Sequence, residues 1–133
     1  MIFNVVVRKS MSQKFEKERA HPRYPIPTLV DLQLEDGSYR HEFSVNVSQG
    51  GMYLESERAL STNTKTTLRF VLPNLDWVFE IMAKVVWSIT VSEDQKLDGK
   101  KDGFGFIFTS MDDKDAEKLT TYLKNFKIED LEL

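Results

Sequence analysis

Between residues 28 and 110 the apolar side chains recur mostly at every second position, the period of a strand with one face buried and one solvated. "TLVDLQLEDGSYRHEFSVNVS" alternates through Val30, Leu32 and Leu34, breaks at Asp36-Gly37, and alternates again through Tyr39, His41, Phe43, Val45 and Val47. Two half-buried strands joined by a tight hairpin are expected, with Asp-Gly supplying the positive φ angles of a type I′ turn. "GMYLES" reads as a short third strand and "TTLRFVLP" as a fourth, stopped by Pro73. The long, β-branched and aromatic "WVFEIMAKVVWSI" reads as a central strand. "TVSEDQKLDGKKDG" is polar and twice punctuated by glycine, which predicts the longest and most mobile loop. "FGFIFTS" closes the series, its Gly105 suggesting a bend or a close approach.

After Ser110 the period changes. "SMDDKDAEKLTTYLKNF" offers a Ser-x-x-Asp capping box, then spaces Ala116, Leu119, Leu123 and Phe126 three and four apart, with acids in its first turn and Lys124 in its last. An amphipathic helix packed on the sheet is predicted. Six short antiparallel strands and one terminal helix make a mainly β domain. A closed six-stranded barrel is favoured over an open sheet, because so few helices cannot cover exposed strand edges.

Composition narrows the function. At 133 residues, 41% hydrophobic and 29% charged, the chain suits one globular domain. No run approaches the roughly 20 apolar residues of a membrane span. In "MIFNVVVRKS" the basic residues follow the apolar patch, the reverse of a signal peptide, so the expected compartment is the cytoplasm. Without cysteine there is no disulfide or thiolate site, and His21 and His41 have no ligand spacing, so no metal is expected. Neither a nucleophile set nor a phosphate loop stands in motif context, and the expectation is a protein that is not an enzyme and has no cofactor. The net charge of -3 hides an uneven distribution: residues 1 to 25 carry Arg8, Lys9, Lys14, Lys17, Arg19 and Arg23 against Glu16 and Glu18, while "KIEDLEL" is acidic. An acidic total with one basic arm does not fit a DNA- or RNA-binding barrel, which needs a basic groove with exposed aromatics.

The chemistry gathers in two stretches. In "NVSQGG", Asn46 and Ser48 lie two apart on a strand and so share a face, and Gly50-Gly51 lets the chain turn and a ligand approach with no Cβ in the way. Conformational preference alone also explains Asn, Ser and Gly at a strand end. Upstream, "RAHPR" sets Arg19 and Arg23 four apart. Together, Arg19-Ala20-His21-Pro22-Arg23 as RxxxR and Asn46-Val47-Ser48-Gln49-Gly50-Gly51 as [D/N]xSxxG resemble the PilZ domain, a bacterial receptor module for cyclic di-GMP. "KVVWS" around Trp87 and "DGFGFIF" match the later strands of that family in kind and order, and the resemblance extends over about residues 15 to 125.

The resemblance implies a six-stranded antiparallel barrel with a C-terminal helix. It implies a cyclic di-GMP site in which Arg19 and Arg23 grip phosphate and guanine while Asn46, Ser48 and Gly51 hold the opposite side. Arginine suits such a ligand because its fork matches both phosphate oxygens and guanine O6 and N7. Gly50 and Trp87 are secondary candidates, with the barrel core the weightier reading for Trp87. The arm is expected to order on binding, which passes the signal to a downstream protein partner that no motif identifies. Glu18, beside the first arginine, repels a second phosphate and favours one ligand per site. Asn46 and Gln49 stand where many relatives carry an acid and a base. The implied organisation is an extension over 1–14, the domain over 15–127 and an acidic tail over 128–133. An assembly module of the same fold that binds no nucleotide is the alternative.

Overall fold

The computed structural model describes residues 21–127. Its strands are β1 (Leu29–Leu34), β2 (Tyr39–Val47), β3 (Gly51–Ser56), β4 (Lys65–Val71), β5 (Val78–Ile89) and β6 (Asp102–Ser110), with helices α1 (Glu93–Leu97) and α2 (Asp113–Lys124). All pairings are antiparallel, and the order β1-β2-β3-β6-β5-β4 returns to β1, closing a six-stranded barrel. Closure removes the strand edges that a small open sheet would expose. The inside is filled from every strand, with Val30, Leu32, Leu54, Leu68, Ile81, Val85 and Phe104 fully buried. Leu119 and Leu123 of α2, together with Ile26, join the same core. Two further bonds hold the helix: Trp77 Nε1 donates to Asp115 Oδ1 at 2.9 Å, and the Tyr122 hydroxyl donates to the Pro73 carbonyl at 2.8 Å.

Several local expectations are revised. The β1–β2 connection is not a type I′ turn, because of its residues only Gly37 has positive φ, at 89°. The Gly37 amide donates to the Leu34 carbonyl and the Leu34 amide to that of Ser38, the pattern of a type I turn followed by a left-handed glycine. Asp36 Oδ1 accepts from the Ser38 amide and hydroxyl, and these bonds lower its pKa below the usual carboxylate value. On β2 the apolar set Tyr39, His41, Phe43 and Val45 faces outward, Phe43 being 62% exposed. Arg40 and Glu42 point inward instead. Arg40 Nη2 bonds Glu42 Oε2 at 2.7 Å, the Ser56 hydroxyl and the Arg58 carbonyl, and the Ser56 hydroxyl also donates to Glu42, so a satisfied polar plug fills one end of the barrel.

The polar loop before β6 contains α1, begun by a capping box in which Ser92 accepts from the Gln95 amide and Gln95 from the Ser92 amide. The second helix starts at Asp112, not Ser110, with the Asp112 side chain accepting from the Asp115 amide.

Candidate functional site

Two one-residue irregularities decide which side chains face outward around β3. On β2 the ladder runs Ser44↔Leu54 and then Asn46↔Tyr53, so Val45 is an extra residue. Strict alternation would send Asn46 inward with Arg40, Glu42 and Ser44. The bulge turns it to the outer face and returns Val47 to the core. On β5 the ladder runs Val85↔Phe106 and then Trp87↔Gly105, so Val86 is extra. Trp87 would otherwise follow Phe79, Ile81, Ala83 and Val85 inside. It lies half-buried on the outer surface, not in the core that its setting favoured.

The two bulges thereby align Asn46, Tyr53, Gly105 and Trp87 in one transverse row across β2, β3, β6 and β5. Tyr53 and Trp87 stack with centroids 4.8 Å apart and planes 25° from parallel. They lie over a floor of glycine: a Cβ at Gly103 would come within 2.2 Å of the Tyr53 hydroxyl oxygen, and one at Gly105 within 2.4 Å of Trp87 Nε1. The close approach expected at Gly105 is thus that of an indole. Burial raises the Tyr53 pKa above the usual phenol value, with Glu55 adding to the effect. At one end of the row, Asn46 Oδ1 is buried and has no hydrogen-bond partner among the described residues.

The incoming chain is anchored beside this row. Tyr24 and Val47 exchange backbone bonds, each 2.9 Å, in an isolated antiparallel bridge, and Ile26 is fully buried two residues later. Arg23 is exposed next to that anchor and is not without an interaction of its own, while Arg19 and Glu18 lie outside the described residues. His21 packs toward Gly50, where a Cβ would come within 2.9 Å of its ring. The Tyr24 ring meets Phe126 edge-on at 5.8 Å, linking the arm to the end of α2.

Ser48 and Gly51 have structural work of their own. The Ser48 hydroxyl accepts from the Gly50 and Gly51 amides, 3.1 Å each, and the Ser48 amide donates to the Gly51 carbonyl at 2.8 Å, which closes the turn on itself. A Cβ on Gly51 would stand 2.0 Å from the Phe106 carbonyl oxygen, so the missing side chain is what lets β3 meet β6. Spacing pointed to Asn46 and the family resemblance to Trp87 as a secondary candidate, but neither pointed to Tyr53. Its signal was the pair of glycines, 103 and 105, on the facing strand.

A sequence profile described as the PilZ domain matches residues 17–125. The chain belongs to the PilZ domain family. Solved structures of similar fold include the Bacillus subtilis inhibitor of motility MotI, with 19% identity and a TM-score of 0.66 over 83% of this chain and 54% of that one. The PilZ domain of Escherichia coli YcgR with c-di-GMP shares 17% identity and a TM-score of 0.57, covering 77% of this chain and 86% of that one. The complex of K. pneumonia MrkH with c-di-GMP shares 15% identity and a TM-score of 0.60, covering 90% and 53%. This chain thus spans about half the length of MotI and MrkH. At such identities the likeness is one of fold. No curated protein matches the sequence. In this PilZ domain the described part of RxxxR, His21 to Arg23, leads into the Tyr24–Val47 bridge, and [D/N]xSxxG forms the end of β2 and the turn into β3. The fold brings Asn46, Ser48 and the anchored Arg23 to the same end of β2.

Proposed function

We propose that this PilZ domain is a receptor for cyclic di-GMP that acts as an adaptor in bacterial second-messenger signalling, without catalysis. The observation that carries the reading is Asn46. A half-buried carboxamide whose oxygen has no partner among the described residues is costly to the fold and useful where a ligand brings N–H donors. Guanine N1–H and N2–H are such donors, and the stacked Tyr53–Trp87 pair beside Asn46 offers an aromatic surface to a planar base. Arg23 supplies the charge-assisted contact to phosphate or guanine from the anchored arm, and Arg19 a second one from further along it. Ser48, Gly50 and Gly51 shape the turn on which the ligand rests. Glu18 limits the site to one ligand molecule.

Because Tyr24 is already bridged to Val47, any ordering on binding is confined to the chain upstream of it. From there the contact of Tyr24 with Phe126 is a route to α2 and to a downstream protein partner. The site of action is the bacterial cytoplasm, in keeping with the observation that no helix among the described residues is long and apolar enough to cross a membrane.

Isothermal titration of the full chain with cyclic di-GMP, beside GTP and cyclic di-AMP, tests the reading. Saturable heat with cyclic di-GMP alone, at one ligand per chain, is the expected result. Silence with protein at about 50 μM, well above the Kd of a signalling receptor, overturns it in favour of an assembly module. A ratio of two overturns the role given to Glu18.

A further inference from the structure

The barrel has a second ordered face, on strands that carry none of the motif residues. Outward positions on β1 are Leu29, Asp31 and Gln33, and those on β4 are Lys65, Thr67, Arg69 and Val71. The ladder pairs Asp31 with Arg69 and Gln33 with Thr67. One step further along it in each direction, Leu29 lies beside Val71 and Glu35 beside Lys65. Acids therefore occupy one side of this face and bases the other, with polar residues between them and an apolar pair at one end. Phe43, partner of Leu29 on β2, and Val78, partner of Val71 on β5, extend the apolar end. All four of these side chains are between 44% and 62% exposed.

Among the described residues neither Arg69 nor Lys65 closes an ion pair with its opposite acid. The Asp31 contact formed on this face is Oδ1 to His41 Nδ1 at 2.6 Å, which leaves the second carboxylate oxygen for another donor.

We propose that the β1–β4 face is a self-association surface, pairing two copies of this chain about a two-fold axis that runs along the strands between β1 and β4. Such an axis carries each residue of β1 onto the partner copy's β4 at the same height. Asp31 then meets Arg69, Glu35 meets Lys65, Gln33 meets Thr67, and Leu29 meets Val71, each contact occurring twice. A two-fold axis across the strands would instead set β1 on β1 and β4 on β4, where no acid meets a base. Charge order supplies the register, and the apolar end supplies most of the attraction, since exposed ion pairs contribute little. A contact two strands wide on a convex barrel falls at the small end of specific interfaces, so the dimer is weak and concentration-dependent.

Sedimentation velocity of the full chain without nucleotide, over a concentration series, should show reversible monomer–dimer exchange. Asp31→Arg and Arg69→Asp should each be monomeric alone and should associate one-to-one when mixed, because the mixture restores opposite charges only between chains. Glu35→Lys mixed with Lys65→Glu repeats the test at exposed positions near the strand ends, should either first variant fail to fold. A wild type that stays monomeric throughout overturns the proposal. So does association of the single variants at wild-type strength, or a mixture of folded variants that stays monomeric.

Discussion

Asn46 is held between stability and binding. Its bulge keeps the side chain on the outer face, but the buried Oδ1 gains no hydrogen bond from the described residues. Asn46→Ala is therefore expected to leave the melting temperature unchanged or raise it, while weakening cyclic di-GMP by about 1 to 3 kcal/mol, as calorimetry would show. Gly51 is expected to behave in the opposite way. Gly51→Ala forces a methyl against the Phe106 carbonyl and separates β3 from β6, costing about 1 to 3 kcal/mol in a denaturant melt even without ligand. A variant as stable as wild type would mean that the glycine is there for the ligand after all. Tyr53 predicts a pH effect. Its phenol pKa is raised, so the folded state favours the neutral form. The resulting stabilisation is complete below the unfolded-state value near 10 and is lost as pH rises through the higher folded-state value. An absorbance titration at alkaline pH should show one late-ionising tyrosine, missing in Tyr53→Phe.

At the scale of the elements, alternation revealed where strands lie but not always which side faces in. β1, β4 and most of β5 follow it. β2 does not, because Arg40 and Glu42 satisfy each other inside the barrel end while Phe43 is left outside. A period-two pattern is blind to such a pair, since an internal ion pair and an external one look alike in sequence. Nor can it register single extra residues, and Val45 and Val86 reverse the face of all that follows. That is why the core was the favoured place for Trp87. The motif residues were legible because their types are chemically restrictive; Tyr53 was not, because its role depends on glycines three strands later in sequence. The plug itself is testable. Glu42→Ala deprives Arg40, whose side chain is only 17% exposed, of its carboxylate, and should cost about 2 to 4 kcal/mol in an equilibrium unfolding experiment. Glu42→Gln, which keeps a hydrogen-bond acceptor, should lose less.

For the molecule as a whole, a closed barrel is a rigid frame on which binding has little to rearrange. Ligand should raise the melting temperature by linkage without changing the strand content, adding roughly 2.7 kcal/mol at a hundredfold excess over Kd. Arg23→Ala should remove most of that gain by weakening binding about 1.5 to 3 kcal/mol. A thermal shift series on both proteins checks this. An undiminished shift in the variant would place the arm outside the site.

The two tryptophans lie at opposite ends of β5. Trp77 stands just before it, bonded to Asp115 with the Lys118 ammonium 5.0 Å from its ring centroid; Trp87 lies near the other end, stacked on Tyr53. Ten residues of extended chain set them roughly 30 Å apart. The protein thus carries two intrinsic fluorophores in unlike surroundings, one on the face read here as the receptor site and one under the helix that would pass the message on. With either indole replaced by phenylalanine, emission from the other reports its own end alone, so arrival of the nucleotide and response of the helix can be timed separately without a label.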